Sequence, residues 1–508
     1  MTESKYPDPS KPVPGQGEGF DNRQLFWSLE YRGRLRKEFT DYAFARGLMI
    51  PPDFGTITHW YTRTPEDFLE GAKPEFLPEP ARGYAARDSG KVWDVRQDKW
   101  MDAYWKLTEA EIANYGRTPG PLHTIGFSER NLFDNRADNL KMKVETTKRM
   151  FDRALRSYPD ATILFAGWDF YSTWTPDELK DYWPTLDPKH VVIFDYEANA
   201  YRPEHFNGVN SNFTKWGLIG KFPYVFGTFF YESGTPIHTD YDLILKRRKF
   251  VEGDPMCKGT ILWPEASHVD ILEQRFFTDN AWKFTDETVD GLIDGFCADR
   301  YGRQAKALAE IWRKVVPMSV KCAGSSGPWR ANYADKILTH LASDYGLNEE
   351  PEYHHRKYGW DAFKDAPQVF AELAKLDWRD DFVRRDTIDL ARTVADRLML
   401  EAICDTQWGW YGWQAKKPGD TAKSVLHEAD LVLKLADLLG RVLSLHSDFS
   451  LWETYKATDA IERIKLPGFD RVLLENAVNG YCLSHQAEPA VHLYPKMLAA
   501  WRAELAAK

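Results

Sequence analysis

The stretch "HVVIFDYEAN", residues 190–199, decides how the rest of this sequence is read. Val191 to Phe194 form an unbroken apolar run, and it leads straight into acids at Asp195 and Glu197. A strand with one wet face alternates apolar and polar residues. A run without alternation is a strand buried on both faces, the condition of a parallel sheet covered by helices. Carboxylates at the end of such a run are costly unless something uses them. In a (β/α) barrel the C-terminal strand ends are where polar residues gather around the active site.

Outward from this stretch the pattern repeats. "LHTIGFSE" (122–129) and "TILFAGWDF" (162–170) precede it; "PYVFGTFFYES" (223–233) and "GTILWPEAS" (259–267) follow. Helical segments separate the runs: one is predicted at about 137–157, and Pro176 opens another. Upstream, residues 23–46 carry apolar residues at helical spacing, Gly47 ends that helix, and "LMI" follows as a short strand. The expected fold is therefore α/β: a (β/α) TIM-type barrel with about six strands in this chain. Residues 56–121 form a long insertion after the first strand, with "THWYTRT" and "VWDVRQDKWMDAYW", expected to help wall the site. Beyond about residue 285 every periodic segment is helical, so an all-α domain is expected to follow. The predicted organisation is an extended arm over 1–22, a barrel over 23–285 and a helical domain over 286–508.

Composition narrows the function. The 508 residues are 43% hydrophobic and carry a formal net charge of −10, spread without long runs of one sign. That argues against nucleic acid and anionic membranes as main partners, since both reward a basic patch. No stretch reaches the ~18 apolar residues needed to span a bilayer, and the N-terminus lacks the apolar core of a secretory signal. Five cysteines stand far apart with no CxxC or Cys/His cluster, which suggests thiols in a reducing compartment and a cytoplasmic location. The 20 Trp and 24 Tyr suit either aromatic core packing or the stacking of flat rings on sugars.

Glu129 and Glu265 are the sharpest chemical features, since each ends an apolar run and opens a polar loop. Two carboxylates facing one pocket are what glycoside hydrolysis needs: one protonated to give a proton to the leaving oxygen, one ionised to attack the anomeric carbon or hold a water. The plain alternative is that each pairs with a nearby arginine, as Arg130 would beside Glu129. Other strand-end residues are candidates for contacting substrate: Ser128, Trp168, Asp169, Asp195, Tyr231, Glu232, Trp263 and His268. No HExxH, GxGxxG, GxxxxGK[ST] or GxSxG pattern occurs, so no metal and no cofactor is expected. "CDTQWGWYGWQ" (404–414) reads equally as interdomain packing or as a stacking wall.

These pieces, in this order, resemble the alpha-N-acetylglucosaminidases, glycoside hydrolase family 89. "FSERNLFD" resembles the family's acid/base segment and implies that role for Glu129. "WPEASHVD" resembles its nucleophile segment and implies that role for Glu265. "DATILFAGWDFYSTWTPDELK" and "KHVVIFDYEAN" resemble its fifth and sixth strand segments, and "CADRYG" and "VLLENAVNGYCL" match patterns of its helical domain. The resemblance implies a retaining glycoside hydrolase acting on alpha-linked glycosides, N-acetylglucosaminides or a related sugar. Alternatives are a non-catalytic carbohydrate-binding or scaffolding subunit of a two-chain glycosidase, or a transglycosylase. Ser128 stands where the family usually has Asn, and the family's N-terminal domain and first two barrel strands have no counterpart here. A barrel short of two strands exposes two sheet edges. Beyond a carbohydrate substrate, the expected partner is therefore a second polypeptide, or another copy of this chain, that completes the barrel.

Overall fold

The structure, a computed structural model, describes residues 29–48, 51–52, 54, 94–113, 120–126, 135–167, 170, 174–195, 212–230, 237, 239–264, 270–281, 288–321, 359–450, 487 and 489–507. The chain forms two compact units. One comprises Met1–Tyr196, Asn210–Gly227 and Val251–Ile261; the other comprises Glu197–Val209, Thr228–Phe250 and Leu262–Lys508.

The sheet contains β1 (Pro121–Thr124), β2 (Thr162–Ala166), β3 (Val191–Asp195), β4 (Tyr224–Phe230) and β5 (Cys257–Pro264), laid side by side in chain order. β1 to β4 are parallel, with Leu122 opposite Ile163, Ile163 opposite Val191 and Ile193 opposite Tyr224. Sequential order with a helix between neighbours is the (β/α) pattern expected from the sequence. Val191 to Phe194 are all buried, which is why this run shows no alternation.

The sixth strand differs from expectation. Leu48 is irregular and 46% exposed, because its amide closes the preceding helix on the Ala43 carbonyl while Gly47 turns at φ +76°. Residues 49 and 50 lie outside the described residues. Pairing along β1 comes slightly later: the His123 amide donates to the Pro52 carbonyl (2.9 Å) and the Phe54 amide to the His123 carbonyl (3.0 Å). Both His123 backbone groups are thus used on the side away from β2, in the manner of a parallel ladder.

Helices in this unit follow their sequence signals. α1 (Leu29–Ala45) and α2 (Asp98–Ala113) precede β1. α3 (Arg136–Ser157) starts at Asn135, whose side chain accepts from the amides of Ala137 (2.8 Å) and Asp138 (3.2 Å). Its Phe151 meets Phe165 of β2 edge-on at 5.3 Å. α4 (Pro176–Tyr182) has a capping box between Thr175 and Glu178 with Pro176 in the first turn, the start expected there. The turn α5 (Asn212–Lys215) stacks Phe213 on Tyr224 at 4.5 Å. Phe165 and Tyr224 therefore mark the helix-covered face of the sheet. His123, Ala166, Val192, Phe194 and Val225 occupy the alternate positions and form the other face.

The second unit is helical among its described residues, apart from the ends of β4 and β5. α6 (Tyr241–Val251) and α7 (Ile271–Ala281) follow those strands. α8 (Val289–Tyr301) and α9 (Ala305–Lys321) pack through Phe296 and Trp312, edge-on at 5.6 Å. α10 (Ala366–Leu373) is tied to α9 by Lys314 and Glu372 at 2.7 Å. α11 (Asp381–Gln414) runs 34 residues, and α12 (Ala422–Leu443) returns after a short connection. α13 (Tyr494–Ala507) bonds to α12 through Arg502 and Asp430 at 2.8 Å. The segment "VLLENAVNGYCL" lies outside the described residues. No helix among the described residues is long and apolar enough to cross a membrane.

Candidate active site

In the first unit, three of the predicted loops leave one sheet edge. β1, β2 and β3 are adjacent and parallel, so the segments bearing Ser128 and Glu129, Trp168 and Asp169, and Asp195 begin side by side at their C-terminal ends. Asp195 is the last residue of β3. The side chains of Ser128, Glu129, Trp168 and Asp169 lie outside the described residues, as does that of Asp195. What the structure does describe is how the chain is turned into these loops.

At the end of β1 the Thr124 hydroxyl accepts from the Gly126 amide at 3.0 Å, and Gly126 adopts φ +59°. A Cβ there would meet the Phe165 ring at 2.9 Å, so only glycine fits both the conformation and the space. At the end of β2 the Gly167 amide continues the ladder to the Phe194 carbonyl at 2.8 Å. The Trp216 indole lies against its bare Cα; an added Cβ would stand 2.5 Å from that ring. The "GW" pair of the sequence is thus a strand end whose first member yields its side-chain volume to an indole, and Trp168 follows directly.

His123 sits beneath this edge, 4% exposed, with its ring 5.4 Å from that of Phe194. Burial pushes its pKa down to about 3, so the imidazole is neutral at any ordinary pH. It did not stand out in the sequence because a lone histidine in an apolar strand carries no motif.

In the second unit, Tyr231 and Glu232 follow β4, and Glu265 and His268 follow β5; all four lie outside the described residues. Trp263 belongs to β5, and its side chain is outside the described set. The chain re-enters view at Ile237 and at Asp270. The Ile237 amide donates to Thr393 Oγ1 at 3.1 Å. Asp270, 4% exposed, caps α7: its Oδ1 accepts from the amides of Leu272 and Glu273, both at 3.1 Å. Burial, with Asp389 nearby adding repulsion, pushes the Asp270 carboxyl up to about 6. Asp270 was not among the residues singled out in the sequence, and its burial among other acids comes from the packing.

"CDTQWGWYGWQ" forms the C-terminal end of α11. A Cβ on Gly409 would meet Val425 at 3.3 Å, and one on Gly412 would collide with the Asp420 carboxylate at 1.8 Å. The glycines serve the close approach of the chain around α12 and its N-terminal connection. Trp410 and Trp413 pack edge-on at 5.2 Å, and Tyr411 is 48% exposed. A groove of about 530 Å³ between α2 and α3, lined by Asp98, Arg149, Asp152 and Arg156 among others, holds none of the candidate residues.

No protein-family model and no curated protein matches the sequence. Solved structures do. A family 89 glycoside hydrolase from Clostridium perfringens in complex with PUGNAc matches with a TM-score of 0.61 at 14% identity, over 94% of this chain and 53% of that one. A second structure of a Clostridium perfringens family 89 protein, with two glutamates changed to glutamine and GlcNAc-alpha-1,4-galactose bound as its substrate, matches at 0.59 and 13% identity, over 97% and 54%. A family 138 glycoside hydrolase targeting pectin rhamnogalacturonan II matches at 0.52 and 12% identity, over 96% and 74%. This chain thus shares the fold of these structures and spans about half the length of the family 89 structures it matches.

Proposed function

We propose that this family 89-like chain is a retaining glycosidase acting on alpha-linked glycosides, with Glu265 as nucleophile and Glu129 as general acid/base. The observation that carries the reading is the register of the predicted acids with the fold. Glu129 lies five residues beyond the end of β1 and Glu265 one beyond the end of β5. Strand ends are where a (β/α) barrel does its chemistry. The match to two family 89 structures over 94% and 97% of the chain supports it.

In this mechanism the Glu265 carboxylate attacks the anomeric carbon while Glu129 protonates the departing oxygen. A glycosyl–enzyme ester forms. Glu129, now ionised, takes a proton from water, whose oxygen displaces Glu265 and restores both groups with net retention. Retention calls for carboxyl groups ~5 Å apart. The sequence-derived candidates Ser128, Trp168, Asp169, Asp195, Tyr231, Glu232, Trp263 and His268 would line the sugar pocket.

The test is a panel of aryl alpha- and beta-glycosides assayed with wild type, Glu129→Gln and Glu265→Gln. Each variant should lower kcat/KM by about a thousandfold or more while its unfolding temperature stays at the wild-type value. Near-wild-type turnover by either variant would remove that residue from its role.

The reading extends to the barrel. We propose that strands from outside this chain, in a second polypeptide or another copy, complete it. Among the described residues β5 stands at the end of the strand order, and its residues from Cys257 to Leu262 are half-buried or exposed, unlike those of β3. α1 turns Thr40 and Ala43 inward and leaves Leu35, Phe39 and Tyr42 exposed at 41%, 62% and 58% on one face.

A further inference from the structure

Three helices of the second unit meet around Asp270. It caps α7, Tyr241 opens α6 beside it, and Asp389 of α11 lies close enough to repel it. α6 and α7 pack through Tyr241 and Phe276, edge-on at 5.3 Å, and Arg248 of α6 donates to the Asn280 carbonyl of α7. α11 holds the chain that leads into α6: Thr393 Oγ1 accepts from the Ile237 amide at 3.1 Å, and Arg397 reaches the Ile237 carbonyl at 3.5 Å.

The acids at this junction are not alike. Asp389 is bracketed by Arg385 at 2.8 Å and Arg392 at 2.6 Å, which hold its charge. Asp396 lies 3.2 Å from Arg397, and Asp240, just before α6, has Lys246 and Arg247 nearby. Glu273 accepts from the Thr239 hydroxyl. Asp270 forms no ion pair with a cation among the described residues. Its Oδ1 takes the amides of Leu272 and Glu273, and the Tyr241 hydroxyl stands 3.5 Å from the same oxygen. Its Oδ2 is buried and has no hydrogen-bond partner among the described residues. An ionised carboxylate there would hold charge in the packing on an oxygen with no donor.

We propose that this junction is a proton-dependent latch: α7 stays docked on α6 and α11 while the Asp270 carboxyl is neutral, and local opening is favoured once that carboxyl ionises. The latch is independent of the proposed activity. Burial, with repulsion from Asp389, favours the neutral carboxyl; the two amides and Thr239 favour the ionised one, and burial is the largest of these effects. In the open form the carboxyl meets water and gives up its proton at its ordinary value of 3.8, against about 6 when docked. Opening therefore releases a proton, and its equilibrium rises with pH by at most about a hundredfold before levelling off above about pH 7. An acidic medium closes the joint and a neutral one loosens it.

The experiment uses the full chain. Amide hydrogen exchange is followed from about pH 5 to about pH 7.5 in peptides from α6 and α7, corrected for the intrinsic pH dependence of exchange, with α12 as internal reference. Wild-type protection in α7 should fall about tenfold across that range relative to α12. Asp270→Asn, which keeps an oxygen for the cap and cannot ionise, should hold α7 protection level; Asp270→Ser, also a capping residue, stands in if the first variant does not fold. Glu273→Gln, which keeps an acceptor for Thr239, should retain the wild-type fall. A wild-type fall of less than about threefold would overturn the latch. So would a fall that persists in both Asp270 variants, or one that disappears in Glu273→Gln, since the proton would then belong to another group.

Discussion

His123 and Asp270 are both buried and ionisable, and they pull stability in opposite directions with pH. The folded His123 takes a proton only near pH 3, whereas the unfolded side chain does so near its ordinary value of 6.5. Between those values the unfolded chain binds more protons, so His123 costs stability as pH falls below about 6.5. Asp270 is raised from 3.8 to about 6, so in that window the folded chain binds more protons, and stability is lost as pH rises through it. Urea unfolding between pH 4 and 8 should show Asp270→Asn gaining on the wild type from about pH 4 to about pH 6 and holding a level advantage above that. A pH-independent difference between the two would contradict the burial of this carboxyl. At the same scale, Gly167 was visible in the sequence only as half of a "GW" pair. Its reason, an indole from a segment about fifty residues later in the chain, needed the packing.

Among elements, α11 departs most from its sequence pattern. Its core-facing side holds Asp386, Asp389, Arg392 and Arg397, all buried. Asp386 accepts from Arg300 and from the Tyr301 hydroxyl (2.8 Å), both of α8, and from Arg385 (3.2 Å). The pairing offsets the burial of charge without adding much net stability. Removing the carboxylate is another matter. Asp386→Ala should cost about 2–4 kcal/mol in chemical denaturation, slightly under the range for a fully buried pair because Arg300 keeps some contact with water. A loss under about 0.5 kcal/mol would mean that water or another acid replaces Asp386. Helical periodicity marks the body of this helix, and "CDTQWGWYGWQ" by itself reads equally as interdomain packing or as a stacking wall. In the structure the helix continues through its glycines, because the gap left by each missing side chain is filled by residues at and just before α12.

At the scale of the molecule, the apolar stripe on α1 and the place of β5 at the end of the strand order among the described residues are surfaces whose exposure to water is costly. Size-exclusion chromatography of the chain expressed alone should show self-association, and Phe39→Ser with Tyr42→Ser should shift it toward monomer. A monodisperse wild-type monomer would remove the proposed completion of the barrel by another polypeptide or copy.

Unbroken apolar runs, each closed by polar residues, determined the strand positions and their parallel order, because a strand covered on both faces leaves no room for alternation. Cap and turn residues at Asn135, Thr175 and Gly47 set the helix ends, since those signals act within a few residues. What only the tertiary structure decided are the contacts between segments distant in the chain: the pairing of Pro52 and Phe54 with β1, the indole beside Gly167, the neutral state of His123 and the acids around Asp270. Burial, and hence the ionisation and spacing of groups that could do chemistry, depends on what the fold brings from elsewhere in the chain, and no local pattern encodes that.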